Sequence, residues 1–168
     1  MFGKTRDLFA IDVDTGVLST AMLLDRETNQ YHELTVRVAD KDMPEWFCES
    51  RVSLQILDAN DNKPMWDTDE FNANIHEDAN VGQIVTKMHA TDIDLGDNRR
   101  LTYTLIDSAD GYFDIEEENG LIRVARELDR EMRDVYNLTV RAMDAGRPRL
   151  TAVTNLLIRV LGNIILLT

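Results

Sequence analysis

Cysteine is nearly missing: Cys48 is the only one in 168 residues, so no disulfide can close within the chain. Small secreted domains often depend on such bridges, and bound metal ions can supply the missing constraint. Cys48 has no evident His–Asn arrangement to make it a nucleophile and is expected to be a partly buried structural thiol. Positive charge is also scarce. Only 18 Lys and Arg stand against 31 Asp and Glu, a formal net charge of −13. This excludes a nucleic-acid partner, which needs a basic footprint. It also argues against attraction to an anionic membrane surface. The opening Met1-Phe2-Gly3-Lys4 runs into charge and lacks the apolar stretch of a signal peptide. The apolar tail, 164–168, is too short to span a bilayer. No segment carries a long, capped helical stripe. His32, His76 and His89 lack metal-binding spacing and are expected at the surface. An EF-hand is excluded, because the twelfth place from Asp92 is Tyr103 and the sixth is Asp97.

An internal repeat is present. Shifted by 104 residues, Phe9, Ile11, Gly16, Leu24, Asp25, Arg26 and Glu27 fall on Phe113, Ile115, Gly120, Leu128, Asp129, Arg130 and Glu131 without a gap. Leu34-Thr35-Val36-Arg37 falls on Leu138-Thr139-Val140-Arg141, Asp40 on Asp144 and Pro44 on Pro148. A period of this length is the size of one β-sandwich domain, too long for a solenoid unit. The copies are unequal, since only eight residues precede Phe9. The first copy is expected to lack about 40 residues, its first two or three strands. The chain is therefore expected to be a fragment or an incomplete gene model. Residues 1–62 form the partial module, 63–163 the complete one and 164–168 a short tail.

The expected fold class is all-β, a tandem of Greek-key sandwiches. Leu101, Tyr103 and Leu105 alternate with Thr102, Thr104 and Ile106. Leu138, Val140 and Ala142 alternate with Thr139, Arg141 and Met143; Leu156, Ile158 and Val160 alternate with Leu157 and Arg159. In the first copy Val52, Leu54 and Ile56 alternate with Ser53, Gln55 and Leu57. A period of two is the mark of strands with one face on a core. Asp110-Gly111, Asn119-Gly120, Thr15-Gly16 and Gly146-Arg147-Pro148 supply turns. Asp14-Thr15-Gly16 has the form of an aspartic-protease triplet, but its repeat mate Glu118-Asn119-Gly120 lacks the second aspartate such enzymes need. A hairpin turn is expected there. Carboxylate pairs for glycoside hydrolysis are a weak reading, because the acids lie in linker loops.

Acidic motifs recur at places the repeat defines: Leu24-Asp25-Arg26-Glu27, then Asp58-Ala59-Asn60-Asp61-Asn62 after the last strand of the first copy, then Asp92-Ile93-Asp94, Asn98 and Asp144. Each alone has a plainer account as an Asx-turn, a surface ion pair or a loop. Together, in this order and with Phe-x-Ile before a Gly turn and Glu77 after a strand, they resemble the cadherin repeat from Phe9 to about Leu161.

The resemblance implies Ca2+ as the bound metal. Calcium takes six to eight oxygen ligands at about 2.3–2.6 Å. The family pattern implies Asp25, Glu27, Asp58, Asn60 and Asp61 as ligands, with backbone oxygens of Ala59 and Asn62. From the second repeat it implies Asp92, Asp94, Asp144 and the backbone oxygen of Asn98. In the family these groups meet at the joint of neighbouring repeats, around three ions. A Glu near the start of the first repeat normally completes the joint, and here it is missing. Glu77, Asp129 and Glu131 match ligands of a second joint, but Gly162-Asn163-Ile164-Ile165-Leu166 stands where the next acidic linker belongs. They are expected to be solvated carboxylates or a weak site.

The function implied is calcium-dependent cell–cell adhesion without catalysis. The partners implied are cadherin-like ectodomains on the same or apposed cells, in homophilic or heterophilic contact. The localisation implied is the extracellular side of the plasma membrane, reached only through a parent-protein anchor absent from this chain. The rival reading is a soluble or secreted β-sandwich that is stabilised by calcium and binds a protein or glycan. Asn137-Leu138-Thr139 is a glycosylation sequon, with Asn137 expected to face outward from a strand.

Overall fold

The computed structural model describes residues 8–162, so Asn163 and the tail 164–168 lie outside the described residues. Contacts divide the chain into two compact units, Met1–Asp58 and Ala59–Thr168.

In the second unit the long alternating segments become long strands. Strand β12 covers Val135–Met143 and β13 covers Thr151–Leu161. They pair antiparallel from Val135↔Arg159 to Met143↔Thr151. The other edge of β12 takes β9, Thr102–Asp107, antiparallel, and the other edge of β13 takes β6, Phe71–His76, parallel. The resulting sheet runs β6-β13-β12-β9. A second sheet is built from β10 (Phe113–Ile115), β11 (Leu121–Val124) and β7 (Ile84–Lys87), in that order. A short pair joins β5, Met65–Trp66, to β8, Ala90–Thr91.

The inward residues of both sheets make one core. Leu138, Val140, Leu156 and Ile158 of the first sheet are fully buried and meet Phe113, Ile122 and Val124 of the second. Fully burying a Leu or Ile side chain is worth about 1.5–3 kcal/mol each, so the period-two pattern selects this register over a one-residue slip. Asn137 lies on the outward side of β12, exposed, beside buried Leu138. Gly120 allows a close approach: a Cβ there would lie 2.3 Å from the Met88 carbonyl oxygen, and its φ of +72° is unfavourable for L side chains.

The first unit repeats this geometry. Its strands are β1 (Phe9–Ile11), β2 (Leu18–Thr20), β3 (Tyr31–Ala39) and β4 (Phe47–Gln55). Adding 104 to the bounds of β1 gives those of β10, and adding it to β3 gives those of β12. The pairing register is also conserved within the chain. Phe9↔Thr20 maps onto Phe113↔Val124, and Tyr31↔Gln55 maps onto Val135↔Arg159. Asp14-Thr15-Gly16 forms the turn between β1 and β2, as expected. Thr15 donates from its N and Oγ1 to Asp12 Oδ1 at 2.7 and 2.8 Å, and Gly16 has φ +72°.

Two expectations fail here. His32 is buried, 4% exposed, because it takes an inward place on β3. Cys48 is exposed. It shares the inward face of β4 with half-buried Val52 and Leu54, but sits opposite Val38, which is itself 63% exposed. The sheet is barely covered at that end. His76 and His89 are exposed, as expected.

Candidate functional site

Within the second unit, the segment before β5, the loop after β8 and the loop after β12 bring Asn60, Asn62, Asp92, Asp94 and Asp144 into direct contact. Asp94 is 0% and Asp144 1% exposed, although both carry carboxylates. Burying an ionised carboxylate is costly unless it is paired or bound to metal. Asp144 is held by backbone donors: the Gly146 N–H donates to Oδ1 at 3.0 Å and the Leu150 N–H to Oδ2 at 3.0 Å. Asn60 Nδ2 donates to Asp144 Oδ2 at 3.1 Å and to the Pro148 carbonyl at 2.5 Å. Asp94 accepts from Asn62 Nδ2 at 2.8 Å and from the Asn62 N–H at 3.3 Å. Asn62 Nδ2 also reaches Asp61 Oδ1 at 2.9 Å, and the Asp94 N–H donates to Asp92 Oδ1 at 3.0 Å.

Two oxygens in this network are buried and accept no hydrogen bond: Asn60 Oδ1 and Asp92 Oδ2. The carboxyl of Asp92 is pushed above its ordinary range. Loss of solvent is the main cause, and the charges of Asp94 and Asp144 add to it, while the Asp94 N–H and Arg99 oppose it. The three acids are thus mutually repulsive. Asn98 belongs to a short 3₁₀ turn, Gly96–Arg99, and its side-chain oxygen lies against Gly146. A Cβ on Gly146 would stand 2.4 Å from Asn60 Cγ and 2.6 Å from Asn98 Oδ1, so the glycine makes room for both amides.

The donor set fits a hard divalent cation. Carboxylate and amide oxygens dominate it, two of them orphaned, with no sulfur or imidazole.

Of the residues expected as ligands, Asp25, Glu27 and Asp58 belong to the first unit, where each has its own partners. Asp25 accepts from Thr28 Oγ1 at 2.6 Å and from the Thr28 N–H at 3.2 Å. These bonds hold its carboxyl below the ordinary range, the hydroxyl contributing most. Arg26 pairs with Glu27 and, at 2.6 Å, with Asp58 Oδ1. Sequence reasoning missed this second pairing. Asp58 lies 32 residues from Arg26, and no short motif signals the contact. The roles of Gly146 and of the Pro148 carbonyl were also missed. The outlying set is mixed: Asp129 and Glu131 are exposed, Glu131 pairing with Arg130 at 2.9 Å, whereas Glu77 is half-buried, contrary to the solvated position expected for it.

Among the described residues no helix is long and apolar enough to cross a membrane. The family model for the cadherin domain matches residues 1–57 and 71–161. Human "Protocadherin Fat 1" is 40% identical over 162 residues, covering 96% of this chain and 4% of that protein. The Drosophila melanogaster "Fat-like cadherin-related tumor suppressor homolog" is 37% identical over 160 residues, covering 95% of this chain and 3% of that protein. The chain thus spans a small fraction of the curated relatives it matches. Mouse Cadherin-23 EC22-24 superposes with a TM-score of 0.83 at 33% identity, over 95% of this chain and 51% of that one. The Protocadherin GammaB4 extracellular domain does so with a TM-score of 0.82 at 30% identity, over 91% and 26%. These are adhesion proteins and not enzymes. Repeated strand registers, an oxygen-rich acidic cluster and the match along both units lead to one assignment: the chain belongs to the cadherin domain family.

Proposed function

We propose that this chain is a calcium-dependent adhesion segment of a cadherin-like ectodomain. Its proposed calcium ligands in the second unit are Asp92, Asp94, Asp144, Asn60, Asp61, Asn98 and the main-chain oxygens of Ala59 and Asn62; in the first unit Asp25, Glu27 and Asp58 are proposed as calcium ligands. The observation that carries this reading is the burial of Asp94 and Asp144 beside Asp92, with Asp92 Oδ2 and Asn60 Oδ1 left without donors.

Two like charges about 4 Å apart repel by about 4 kcal/mol at an effective dielectric of 20. A bound calcium ion supplies the positive charge that turns this repulsion into attraction. The protein residues do the rest. The Gly146 and Leu150 N–H groups fix Asp144, Asn62 fixes Asp94, and Gly146 leaves space for Asn60 and Asn98. Extracellular calcium modules bind at about 10⁻⁴–10⁻³ M, so such a site fills outside the cell and empties in cytosol. The partners proposed are other cadherin-like ectodomains, on the same or apposed cells, and the location proposed is the extracellular face of the plasma membrane. Outward-facing Asn137 is proposed as a glycan acceptor there.

The test is adhesion itself. Beads coated with the chain should aggregate in millimolar calcium and disperse in chelator. Aggregation that ignores calcium removes the proposal, and so does a melting temperature that calcium leaves unchanged.

A further inference from the structure

Asp25-Arg26-Glu27 and Asp129-Arg130-Glu131 fold into the same turn, one in each unit. In the first, the Thr28 N–H donates to Asp25 Oδ1 at 3.2 Å and the Asn29 N–H to the Asp25 carbonyl at 3.1 Å. In the second, the Met132 N–H donates to Asp129 Oδ1 at 3.0 Å and the Arg133 N–H to the Asp129 carbonyl at 2.9 Å. Each turn sends its arginine to the segment that follows the last strand of its own unit. Arg26 pairs with Glu27 and, from Nε, with Asp58 Oδ1 at 2.6 Å. Arg130 pairs with Glu131 and lies against Gly162, which is 104 places after Asp58. A Cβ on Gly162 would stand 2.6 Å from Arg130 Nε. The arginine therefore takes this place with or without an acid to meet it. Its position is set by the turn and not by the charge of Asp58.

What differs between the units is burial. The side chains of Arg26, Glu27 and Asp58 are 11%, 15% and 17% exposed, whereas those of Arg130 and Glu131 are 47% and 70% exposed. Charges largely out of water depend on their partners, and removing one partner costs far more there than at the surface.

We propose, resting on the calcium reading above, that Arg26 is a built-in counter-cation for Glu27 and Asp58 and sets how tightly the chain holds calcium. In chelator the guanidinium neutralises both acids and keeps Asp58 fastened to its own unit. Calcium drawn to the same two acids meets a positive charge already among them. An arginine stays protonated at every working pH, so this opposition is permanent. Linkage makes the effect reciprocal: what Arg26 adds to the stability of the metal-free chain is missing from the increment that calcium adds. Asp25 differs, because its carboxyl is held by the neutral donors of Thr28.

Arg26→Met in the full chain tests the proposal, since it keeps the apolar stem and removes the charge. In chelator the variant should melt below the parent chain. In millimolar calcium the gap should narrow, so that calcium raises the melting temperature more in the variant. Calorimetric titration should show calcium bound about three- to tenfold more tightly. Arg26→Lys keeps the charge and should keep the parent's calcium increment. Arg130→Met removes the exposed counterpart and should change neither reading. If Arg26→Met does not fold in chelator, Arg26→Gln is measured in its place. Equal losses of melting temperature with and without calcium overturn the proposal, because Arg26 would then be a structural tie alone. Weaker calcium binding by Arg26→Met also overturns it, because the arginine would then orient the acids for the ion. A parent chain with no calcium response removes the calcium reading and this inference with it. A parent that responds to calcium as strongly as Arg26→Met removes this inference alone.

Discussion

His32 and Tyr136 hold the same place in the repeat, and each meets a phenylalanine edge-on. The Phe9 and His32 ring centroids are 5.3 Å apart at 71°, and those of Phe113 and Tyr136 are 5.2 Å apart at 77°. One position thus carries one packing role with two chemistries. Tyr136 is also covered by Arg133, 4.5 Å above its ring, and belongs to a closed core. Tyr136→Ala should therefore cost about 3–5 kcal/mol, as large-to-small aromatic changes in cores do. His32→Ala should cost about 1–2 kcal/mol, because less surrounds it. Urea denaturation of both variants measures the difference.

Asp92 opposes folding when ionised. Its carboxyl is raised, chiefly by desolvation, and its Oδ2 has no donor. Asp92→Asn should leave metal-free stability equal or higher while removing most of the gain from calcium. A ligand at a hundredfold its Kd stabilises by about 2.7 kcal/mol, so the loss is visible by calorimetry. Asp61→Ala should weaken calcium binding more than Asp129→Ala. Asp129 is an exposed turn residue whose Oδ1 accepts the Met132 N–H at 3.0 Å.

Gly146→Ala should weaken calcium binding although no proposed ligand is itself replaced. The added methyl would collide with Asn60 and Asn98, and Asn60 could not keep its 3.1 Å bond to Asp144. Overpacking of this kind costs about 1–3 kcal/mol. Comparing melting curves with and without calcium separates the loss of binding from the loss of fold.

Glu116 gives a pH dependence of definite sign. Asn119 Nδ2 donates to its Oε2 at 2.6 Å, and Arg123 Nε donates to Oε1 at 2.6 Å, so its carboxyl lies below the ordinary range, the Asn119 bond contributing most. A lowered carboxyl binds fewer protons in the folded state, so its stabilisation is present above the ordinary glutamate range and is lost as pH falls through the folded value. Glu116→Gln should melt below the parent chain at pH 7, and the gap should close on acidification below about pH 4.

The repeat was legible because strand pairing must preserve the face of every residue. β3 and β12 share bounds under the shift found in the sequence, and the paired registers follow. The segment Asp58 to Asn62 and the pair Asp92, Asp94 stood out in the sequence because their acids and amides are clustered, and Asn60, Asn62, Asp92 and Asp94 do enter one hydrogen-bonded network with Asp144. His32 was misread through its residue type, although its mate Tyr136 marked an inward position. Cys48 was misread the other way: its alternation placed it inward, but exposure depends on whether anything lies over the sheet, which a local pattern does not encode. The Arg26–Asp58 pairing and the room left by Gly146 depend on contacts between distant segments, and no spacing rule carries them.

Calorimetric titration of calcium into the chelator-treated chain, run beside Asp92→Asn, bears most directly on the account. Binding at about 10⁻⁴–10⁻³ M in the parent chain, lost in the variant while the variant stays folded, is the predicted result. No heat of binding and no rise in melting temperature at 10 mM calcium, or equal binding by both proteins, would contradict it.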